Sequence, residues 1–256
     1  MISTALTRHI SPLLAECELT HLDRTPIHIP KARKQHRAYE KALESMGYQI
    51  RRLPELPEQP DGVFVEDTAV VLQDIAVITR PGAESRRPET ESMAAVLREY
   101  RELHFIEAPG TLDGGDVLVL GKRIYIGNSG RTNTEAIRQF RQITERLGYR
   151  VIPVPVTGCL HLKTAAASLE EDLLLINPDW INPQLFKECS IIPVHPGEPF
   201  GANVMRKENM ALCPESFPRT GHILEKHGYD LLTVDQSELA KAEAGLTCCS
   251  VIIDPS

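Results

Sequence analysis

One short pattern recurs along the chain: a helix stops at a glycine, and a tyrosine and a short apolar strand follow. It is clearest at Gly47-Tyr48, Gly148-Tyr149 and Gly228-Tyr229. Two less regular units complete a set of five, and in each a polar residue able to do chemistry follows the strand. A period of 20 to 50 residues is typical of a repeat architecture built from one supersecondary unit.

The polar residues lie at matching places in the five units. They are Glu66-Asp67, Asp113, His161, Asn203 and Cys248, and successive members are separated by 47, 48, 42 and 45 residues. If the units form a ring, the same position of every unit faces the axis. We therefore expect a cysteine, a histidine and several carboxylates to meet at one spot.

Each unit contains two short apolar runs that read as a hairpin, then a helix, then the leading strand of the next unit. The last unit, Thr247 to Ile253, lacks a partner strand, which Ile2 to Thr7 at the other end of the chain can supply. The sequence thus predicts an α/β fold: a closed five-bladed α/β propeller of pseudo-fivefold ββαβ modules, closed by pairing of the termini. We interpret residues 1–256 as a single domain, and Ser11 to Pro30, which has no clear periodicity, as a functional loop or lid.

The pattern also predicts particular elements. Helices are expected at 32–46, 90–103, 133–147, 183–188 and 219–227. Apolar strands are expected at 63–65, 162–169 and 247–253. Glu66-Asp67 would then lie at the end of a strand and His161 at the start of one.

Composition excludes several classes of function. The net charge of −7 gives no basic surface for nucleic acid. No apolar run approaches the ~18 residues of a membrane span, and the first residues lack a signal-peptide pattern. Six cysteines in a chain of this length do not imply disulfides. We therefore expect a cytoplasmic protein that binds neither membrane nor nucleic acid; a homodimer is left open.

Cys248, Cys249 and His161 are the candidates for nucleophile and base. A buried cysteine is more often a small core residue than a nucleophile. Adjacent strand residues point to opposite faces, so only one of the two cysteines can face the axis, and the alternation does not say which. A lone histidine between apolar residues is usually a core residue too, but its matching place in the repeat favours catalysis.

Charged residues suggest a ligand with both signs of charge. The carboxylates of Asp61, Glu66, Asp67, Asp113 and Asp116 would need partners if they are buried, and a cationic ligand would supply one. Arg86 and Arg131 read singly as surface charge; together they suit an anionic substrate group. A metal site formed by Cys159 and His161 with the two late cysteines fits no structural zinc spacing, and we predict no metal and no cofactor.

Six segments resemble the dimethylarginine dimethylaminohydrolase family of the pentein, or guanidino-group-modifying, superfamily. The resemblance spans nearly the whole chain, in order and at the family's spacing, and it implies a five-bladed propeller. The segments are Phe64-Val65-Glu66-Asp67-Thr68, residues 78–87, residues 111–118, Gly130-Arg131-Thr132-Asn133, Leu160-His161-Leu162-Lys163 and Leu246-Thr247-Cys248-Cys249-Ser250.

The resemblance implies roles for individual residues. Cys248 would be the nucleophile, His161 the general acid and base, and Asp113 its acidic partner. The remaining positions would bind a small guanidine substrate: Glu66 and Asp67 its guanidinium, Arg86 and Arg131 its carboxylate, Asp61 and Leu19 its α-amino group. Cys249 would point away from the site.

The implied activity is hydrolysis of Nω-methylated arginine to citrulline and methylamine or dimethylamine, through a covalent cysteine thiouronium. The chain departs from the family at Ala242-Glu243-Ala244-Gly245, where members often have a branched apolar residue followed by Asp-Gly. A small Ala242 beside the substrate leaves room for methyl groups. The alternatives are a hydrolase of another guanidine, such as arginine or agmatine, and a pentein that binds without chemistry.

Overall fold

Fifteen short strands form five separate three-stranded sheets within residues 2–255, the part of the chain that the computed structural model describes. The strands are β1 Thr4–Thr7, β2 Gln49–Arg52, β3 Ala69–Val71, β4 Ile75–Ile78, β5 Glu102–Phe105, β6 Val117–Leu120, β7 Arg123–Asn128, β8 Arg150–Pro155, β9 Ala166–Glu170, β10 Leu173–Ile176, β11 Ser190–Pro193, β12 Met205–Lys207, β13 Met210–Pro214, β14 Asp230–Val234 and β15 Val251–Ile253. The α-helices are α1 Ile29–Ser45, α2 Glu89–Leu97, α3 Thr134–Thr144, α4 Leu162–Ala165, α5 Pro218–Lys226 and α6 Ser237–Ala240.

All five sheets have the same topology. In the second sheet, β3 pairs antiparallel with β4, and β4 pairs parallel with β5 after the crossover through α2. The sheets built from β6–β8, β9–β11 and β12–β14 repeat this order. Their crossovers run through α3, a 3₁₀ helix at Pro183–Phe186, and α5. The predicted ββαβ module is therefore confirmed.

The remaining sheet joins the two ends of the chain. β15 pairs antiparallel with β1, with Thr4 opposite Ile253 and Leu6 opposite Val251, and β1 pairs parallel with β2. The first strands of the five modules, β3, β6, β9, β12 and β15, all contribute to the wall of one central channel of about 500 Å³. The predicted propeller, closed by pairing of the termini, is confirmed.

Local signals explain where the longer helices begin and end. α1 starts after His28, whose ring nitrogen accepts a hydrogen bond from the Lys31 N–H, and it has Pro30 in its first turn. Gly47, with φ of +82°, ends it in the left-handed region that favours glycine. The Asn133 side chain accepts from Ala136 N–H and caps α3. Within residues 2–255 no helix is both long and apolar enough to cross a membrane.

Several predicted elements are wrong in detail. The second helix ends at Leu97 instead of Leu103. Residues 98–100 form a turn, and Leu103 belongs to β5. The expected strands at 63–65, 162–165 and 247–249 are absent. A 3₁₀ helix spans Val65–Thr68, the helical turn α4 spans Leu162–Ala165, and a 3₁₀ helix spans Thr247–Cys249. Each of these turns lies directly before the inner strand of its module, and a short apolar run alone does not distinguish such a turn from a strand.

Candidate active site

Helical turns before the inner strands bring Asp67, Asp113, His161 and Cys248 together at one end of the ring, whereas Asn203 lies in no helical turn and outside this site. A small cavity there has a volume of about 20 Å³. Its walls come from the lid loop, from four of the five modules and from the loop before Cys248. The lining residues are Glu18, Asp61, Phe64, Asp67, Arg86, Arg131, Leu160, His161, Ala242, Glu243, Ala244 and Cys248.

Cys248 lies in the 3₁₀ turn and contributes to this cavity, and its sulfur accepts a hydrogen bond from Gly245 N–H at 3.3 Å. Cys249 is fully buried in the core on the other side of the turn. The two thiols therefore lie on different sides of the chain, as the sequence predicted. They do so because they belong to a 3₁₀ turn, and not because they alternate along a strand. Burial and the carboxylates of Glu66 and Asp67 raise the pKa of Cys248 well above its ordinary value.

His161 directly precedes α4, and its ring lies between carboxylates. Its Nε2 lies 3.0 Å from Asp113 Oδ2, and its Nδ1 lies 3.9 Å from Asp67 Oδ1. Burial alone would lower the pKa of this imidazole, but Asp67, the hydrogen bond with Asp113 and the nearby Asp116 together raise it to about 9. The ring is therefore protonated at neutral pH and carries a proton that it can donate as a general acid.

Asp113 and Asp67 are fixed by the backbone of neighbouring turns. The second oxygen of Asp113 accepts from Gly82 N–H at 2.8 Å. Asp67 accepts from Gly115 N–H at 3.0 Å through Oδ1 and from Arg86 Nη1 at 2.6 Å through Oδ2. Burial would raise the pKa of Asp67, but His161 and Arg86 hold it well below its usual range. Asp67 is thus a permanent negative charge in the cavity wall.

The structure places Glu66 differently from the prediction. Its carboxylate pairs with Lys163 Nζ at 2.5 Å and accepts from Thr247 Oγ1 at 2.8 Å. Glu66 and Lys163 line the central channel, and Glu66 is not among the residues that line the site cavity. Its carboxylate nevertheless lies near enough to Cys248 to raise the pKa of that thiol, and its role in binding a guanidinium stays a prediction. The orientation of adjacent turn residues is not readable from the sequence.

Arg86 is buried and is not a surface charge. It makes a bidentate pair with Glu89, at 3.2 and 2.9 Å, and donates also to Asp67 and to the carbonyl of Phe64. Four of its five N–H groups are thus engaged, which leaves one on Nη1 for a ligand. The sequence reasoning did not anticipate Glu89 as a partner.

Arg131 and Asp61 reach the cavity from opposite walls. Arg131 Nη2 donates to Thr20 Oγ1 at 2.9 Å, and its Nη1 lies 4.0 Å from Asp113 Oδ2. Asp61 Oδ2 accepts from Glu18 N–H at 3.1 Å, and burial raises the pKa of this carboxyl despite the nearby arginines. Cationic and anionic groups therefore occur in the same small space.

The lid loop, residues 11–30, contributes to the cavity wall, but Leu19 is not among the lining residues and packs instead against the hydrophobic core. Its neighbour Glu18 lines the cavity in its place. Ala242 lines it as predicted. Sequence reasoning missed Glu18 and Glu243 as lining residues, because nothing in the pattern of the lid or of the loop before Cys248 marks them as inward-facing.

A group of possible metal ligands also lies here. The ligand atoms of Asp67, Asp113 and His161 are within 4.8 Å of one another. These atoms are already joined by the hydrogen bonds and the close His161–Asp67 approach described above. Cys159, part of the metal alternative weighed from the sequence, donates instead to the carbonyl of His161 at 3.4 Å.

Known proteins resemble the chain throughout its length. A family model described as "N,N dimethylarginine dimethylhydrolase, eukaryotic" matches residues 20–192. N(G),N(G)-dimethylarginine dimethylaminohydrolase of Streptomyces coelicolor is 40% identical over 250 residues, covering 96% of this chain and 95% of the relative. The enzyme of the same name from Pseudomonas aeruginosa is 38% identical over 223 residues, covering 86% of this chain and 88% of the relative.

A solved structure extends the likeness to three dimensions. The structure of a cysteine-to-serine variant of the Pseudomonas aeruginosa protein, complexed with citrulline, has a TM-score of 0.94 at 35% identity. The match covers 99% of this chain and 100% of that one. Family model, sequence relatives and structure agree, and the chain belongs to the dimethylarginine dimethylaminohydrolase family.

Proposed function

We propose that this protein hydrolyses Nω-methylated arginine, both dimethylarginine and monomethylarginine, to citrulline and dimethylamine or methylamine. One observation carries the proposal. A single cavity is lined by a cysteine, a histidine paired with an aspartate, and charged groups of both signs. The names of the two bacterial relatives, each matched over more than 85% of its length, support the same substrate.

The charges of the cavity suit a substrate with a guanidinium at one end and an α-amino acid at the other. Asp67, beside Cys248 and His161 in the wall, would bind the guanidinium and orient its central carbon toward the sulfur. Arg131 and the free N–H of Arg86 would bind the carboxylate, and Asp61 the α-amino group. Each buried charge then gains a partner of opposite sign.

Substrate binding would also activate the nucleophile. The thiol of Cys248 is protonated in the free protein because burial and the neighbouring carboxylates raise its pKa. A guanidinium bound at Asp67 offsets that negative field and adds a positive charge next to the sulfur. Both changes lower the thiol pKa, and the proton leaves to solvent as the thiolate forms.

The reaction then proceeds in two displacements. The thiolate adds to the guanidinium carbon, and the His161 imidazolium gives its proton to the departing amine, which leaves behind a thiouronium on Cys248. His161, now neutral, takes a proton from a water molecule as the water oxygen adds to the same carbon. The carbon–sulfur bond breaks and the hydroxyl proton of the adduct passes to solvent, which releases neutral citrulline and restores the thiolate.

An assay of the ureido product tests the proposal with dimethylarginine, monomethylarginine, arginine and agmatine side by side. We expect turnover of both methylated arginines. Agmatine should be a far poorer substrate, since it lacks the carboxylate whose charge-assisted hydrogen bonds contribute about 1.5–3 kcal/mol each. The Cys248→Ser variant should be inactive, while the neighbouring Cys249→Ser variant, altered only in the core, should keep most of its activity.

Three outcomes would contradict parts of the proposal. Comparable kcat/KM values for agmatine and dimethylarginine would exclude carboxylate recognition and favour an agmatine-type hydrolase. Arginine turned over as well as its methylated forms would place the protein among broader guanidine hydrolases, since a small Ala242 leaves space that methyl groups need not fill. Full activity of Cys248→Ser would remove the assigned nucleophile.

A further inference from the structure

Glu18, the first residue of the lid tip at residues 18–22, lines the site cavity, and the tip forms neither helix nor strand. With the tip in this position the cavity holds only about 20 Å³. An amino acid the size of dimethylarginine cannot enter such a space unless the tip moves away. Substrate entry and product release therefore require an open state, and what holds the closed state decides how often the site is accessible.

The carboxylate of Glu243 accepts hydrogen bonds from three backbone N–H groups of the lid tip. Glu243 Oε1 accepts hydrogen bonds from the backbone N–H groups of Thr20, His21 and Leu22 at 3.1, 2.5 and 2.5 Å, and its Oε2 lies 3.0 Å from Thr20 N. Three successive N–H groups that converge on one anion form the kind of concave nest that binds anions elsewhere. No other carboxylate among residues 2–255 accepts from three backbone amides.

The backbone at Glu243 is strained in a way that serves this contact. Its φ is +58°, in the left-handed region that a residue with a Cβ rarely adopts. Such a conformation persists only where the surroundings determine it, and it occurs often at ligand clamps. The side chain also lines the site cavity, between Ala242 and Ala244 in the same wall.

The lid tip has three further contacts: two with substrate-binding candidates, and one in which Ser85 Oγ donates to Glu18 Oε1 at 2.5 Å. Glu18 N–H donates to Asp61, and Thr20 Oγ1 accepts from Arg131. A bound substrate would compete for both groups, whereas Glu243 needs neither of them. Two carboxylates, Asp61 and Glu243, accept from backbone N–H groups of the tip, and of these only Glu243 can therefore keep its contact in the substrate complex.

We infer that Glu243 is a positioning residue that latches the lid tip over the occupied site. The substrate in this inference rests on the proposed function; the latch itself does not. If only the closed state binds substrate tightly, the apparent affinity is reduced by the fraction of molecules that are closed. Removal of the latch should then raise KM strongly and change kcat little.

Hydrogen exchange in the free protein tests the latch without any substrate. In Glu243→Gly, which removes the carboxylate and relieves the positive φ, the amides of residues 20–22 should exchange at least about tenfold faster than in the wild type. Glu243→Gln, which keeps one acceptor oxygen without the charge, should be intermediate. Strand amides of β4 and β7 should not change in either variant, which shows that the fold is intact.

Glu208→Gly is the matched control. Glu208 is exposed in the turn between β12 and β13, has a φ of +53°, and makes no contact with the lid. The substitution removes the same side chain and the same backbone strain. It should leave the exchange of residues 20–22 at the wild-type rate.

Access to Cys248 gives a second measurement. The rate of its alkylation by iodoacetamide, followed by mass spectrometry of the peptide, should rise about tenfold in Glu243→Gly and stay unchanged in Glu208→Gly. With dimethylarginine, KM should rise about tenfold in Glu243→Gly while kcat stays within about threefold.

Wild-type exchange at residues 20–22 in Glu243→Gly would overturn the latch, as would an unchanged KM. A wild-type protein that does not turn over dimethylarginine, but whose lid amides and Cys248 respond as described, would refute the proposed substrate and support the latch.

Discussion

The charge of His161 is decided by its neighbours and not by its burial. The ring is 4% exposed, which by itself would favour the neutral form. Three aspartates from two different turns outweigh that penalty: Asp67 from one, and Asp113 and Asp116 from the other. Their convergence depends on the closure of the ring, so the repeat predicted the meeting of these residues but not the resulting protonation state.

Asp113→Asn should lower the pKa of His161 from about 9 toward its ordinary value near 6.5. In the saturated complex the thiolate is already formed, so kcat falls with rising pH as His161 loses its proton. The alkaline limb of kcat should therefore move to lower pH in the variant, together with the NMR titration of the His161 ring. Asp74→Asn, in the exposed turn between β3 and β4, is the control.

The same shift has a consequence for stability. A histidine whose folded pKa is raised stabilises the fold fully below its unfolded pKa, near 6.5, and this contribution is lost as pH rises through about 9. Over that pH range the wild type should lose more free energy of unfolding than Asp113→Asn does. An unchanged kcat profile and an unchanged ring titration in the variant would contradict the assigned partnership.

At the scale of elements, the helical turns before the inner strands carry the site. The sequence predicted strands there because the turns are apolar and buried, as short strands also are. The positions of the functional residues survived this error, since a turn and a strand end occupy the same place in the module. The directions of their side chains were not predicted: Glu66 lines the channel, whereas Asp67 lines the cavity.

The Gly114-Gly115 turn shows how closely these elements approach. A Cβ built on Gly115 would lie 2.6 Å from His161 Nδ1 and 2.9 Å from Asp67 Oδ1. Gly115→Ala should therefore displace the imidazole or the carboxylate, and misplacement of a catalytic group by about 1 Å can cost about 10²-fold in rate. The measurement is kcat/KM per folded molecule, with folding checked by circular dichroism.

Gly130→Ala is the matched control for this prediction. Its Cβ would meet no heavy atom within 4 Å, and its φ lies outside the positive region. Activity should stay near the wild-type value. If Gly115→Ala were equally active, the close packing of the turn against His161 would not matter for the reaction.

At the scale of the whole molecule, the repeat predicted the ring well, because a period and an unpaired strand at each end leave few other closed arrangements. The repeat did not predict which side chains pair with one another inside the protein. Taken singly, Arg86 looked like a surface charge, yet it is buried and forms an ion pair with Glu89 of the next helix. Lys163 of another module forms an ion pair with Glu66. Such pairings depend on rotamers and on contacts between distant segments, neither of which leaves a periodic trace.

Closure of the ring should make the protein unfold as one unit. Leu6 is fully buried where the two ends of the chain meet, in a cluster with Val251 and Ile253. Leu6→Ala should lower the free energy of unfolding by about 2–5 kcal/mol. Ile2→Ala, in the same segment but 69% exposed, should change it by less than about 0.5 kcal/mol.

The only tryptophan, Trp180, follows β10 on a different sheet and packs edge-on against Phe200. Urea unfolding can therefore be followed both by its fluorescence and by circular dichroism of the whole chain. Closure of the ring makes every sheet depend on the β1–β15 pair, so Leu6→Ala should move both transitions to the same lower urea concentration. A fluorescence midpoint that stays at the wild-type value while the dichroism midpoint falls would mean that residues 1–256 do not form a single cooperative domain.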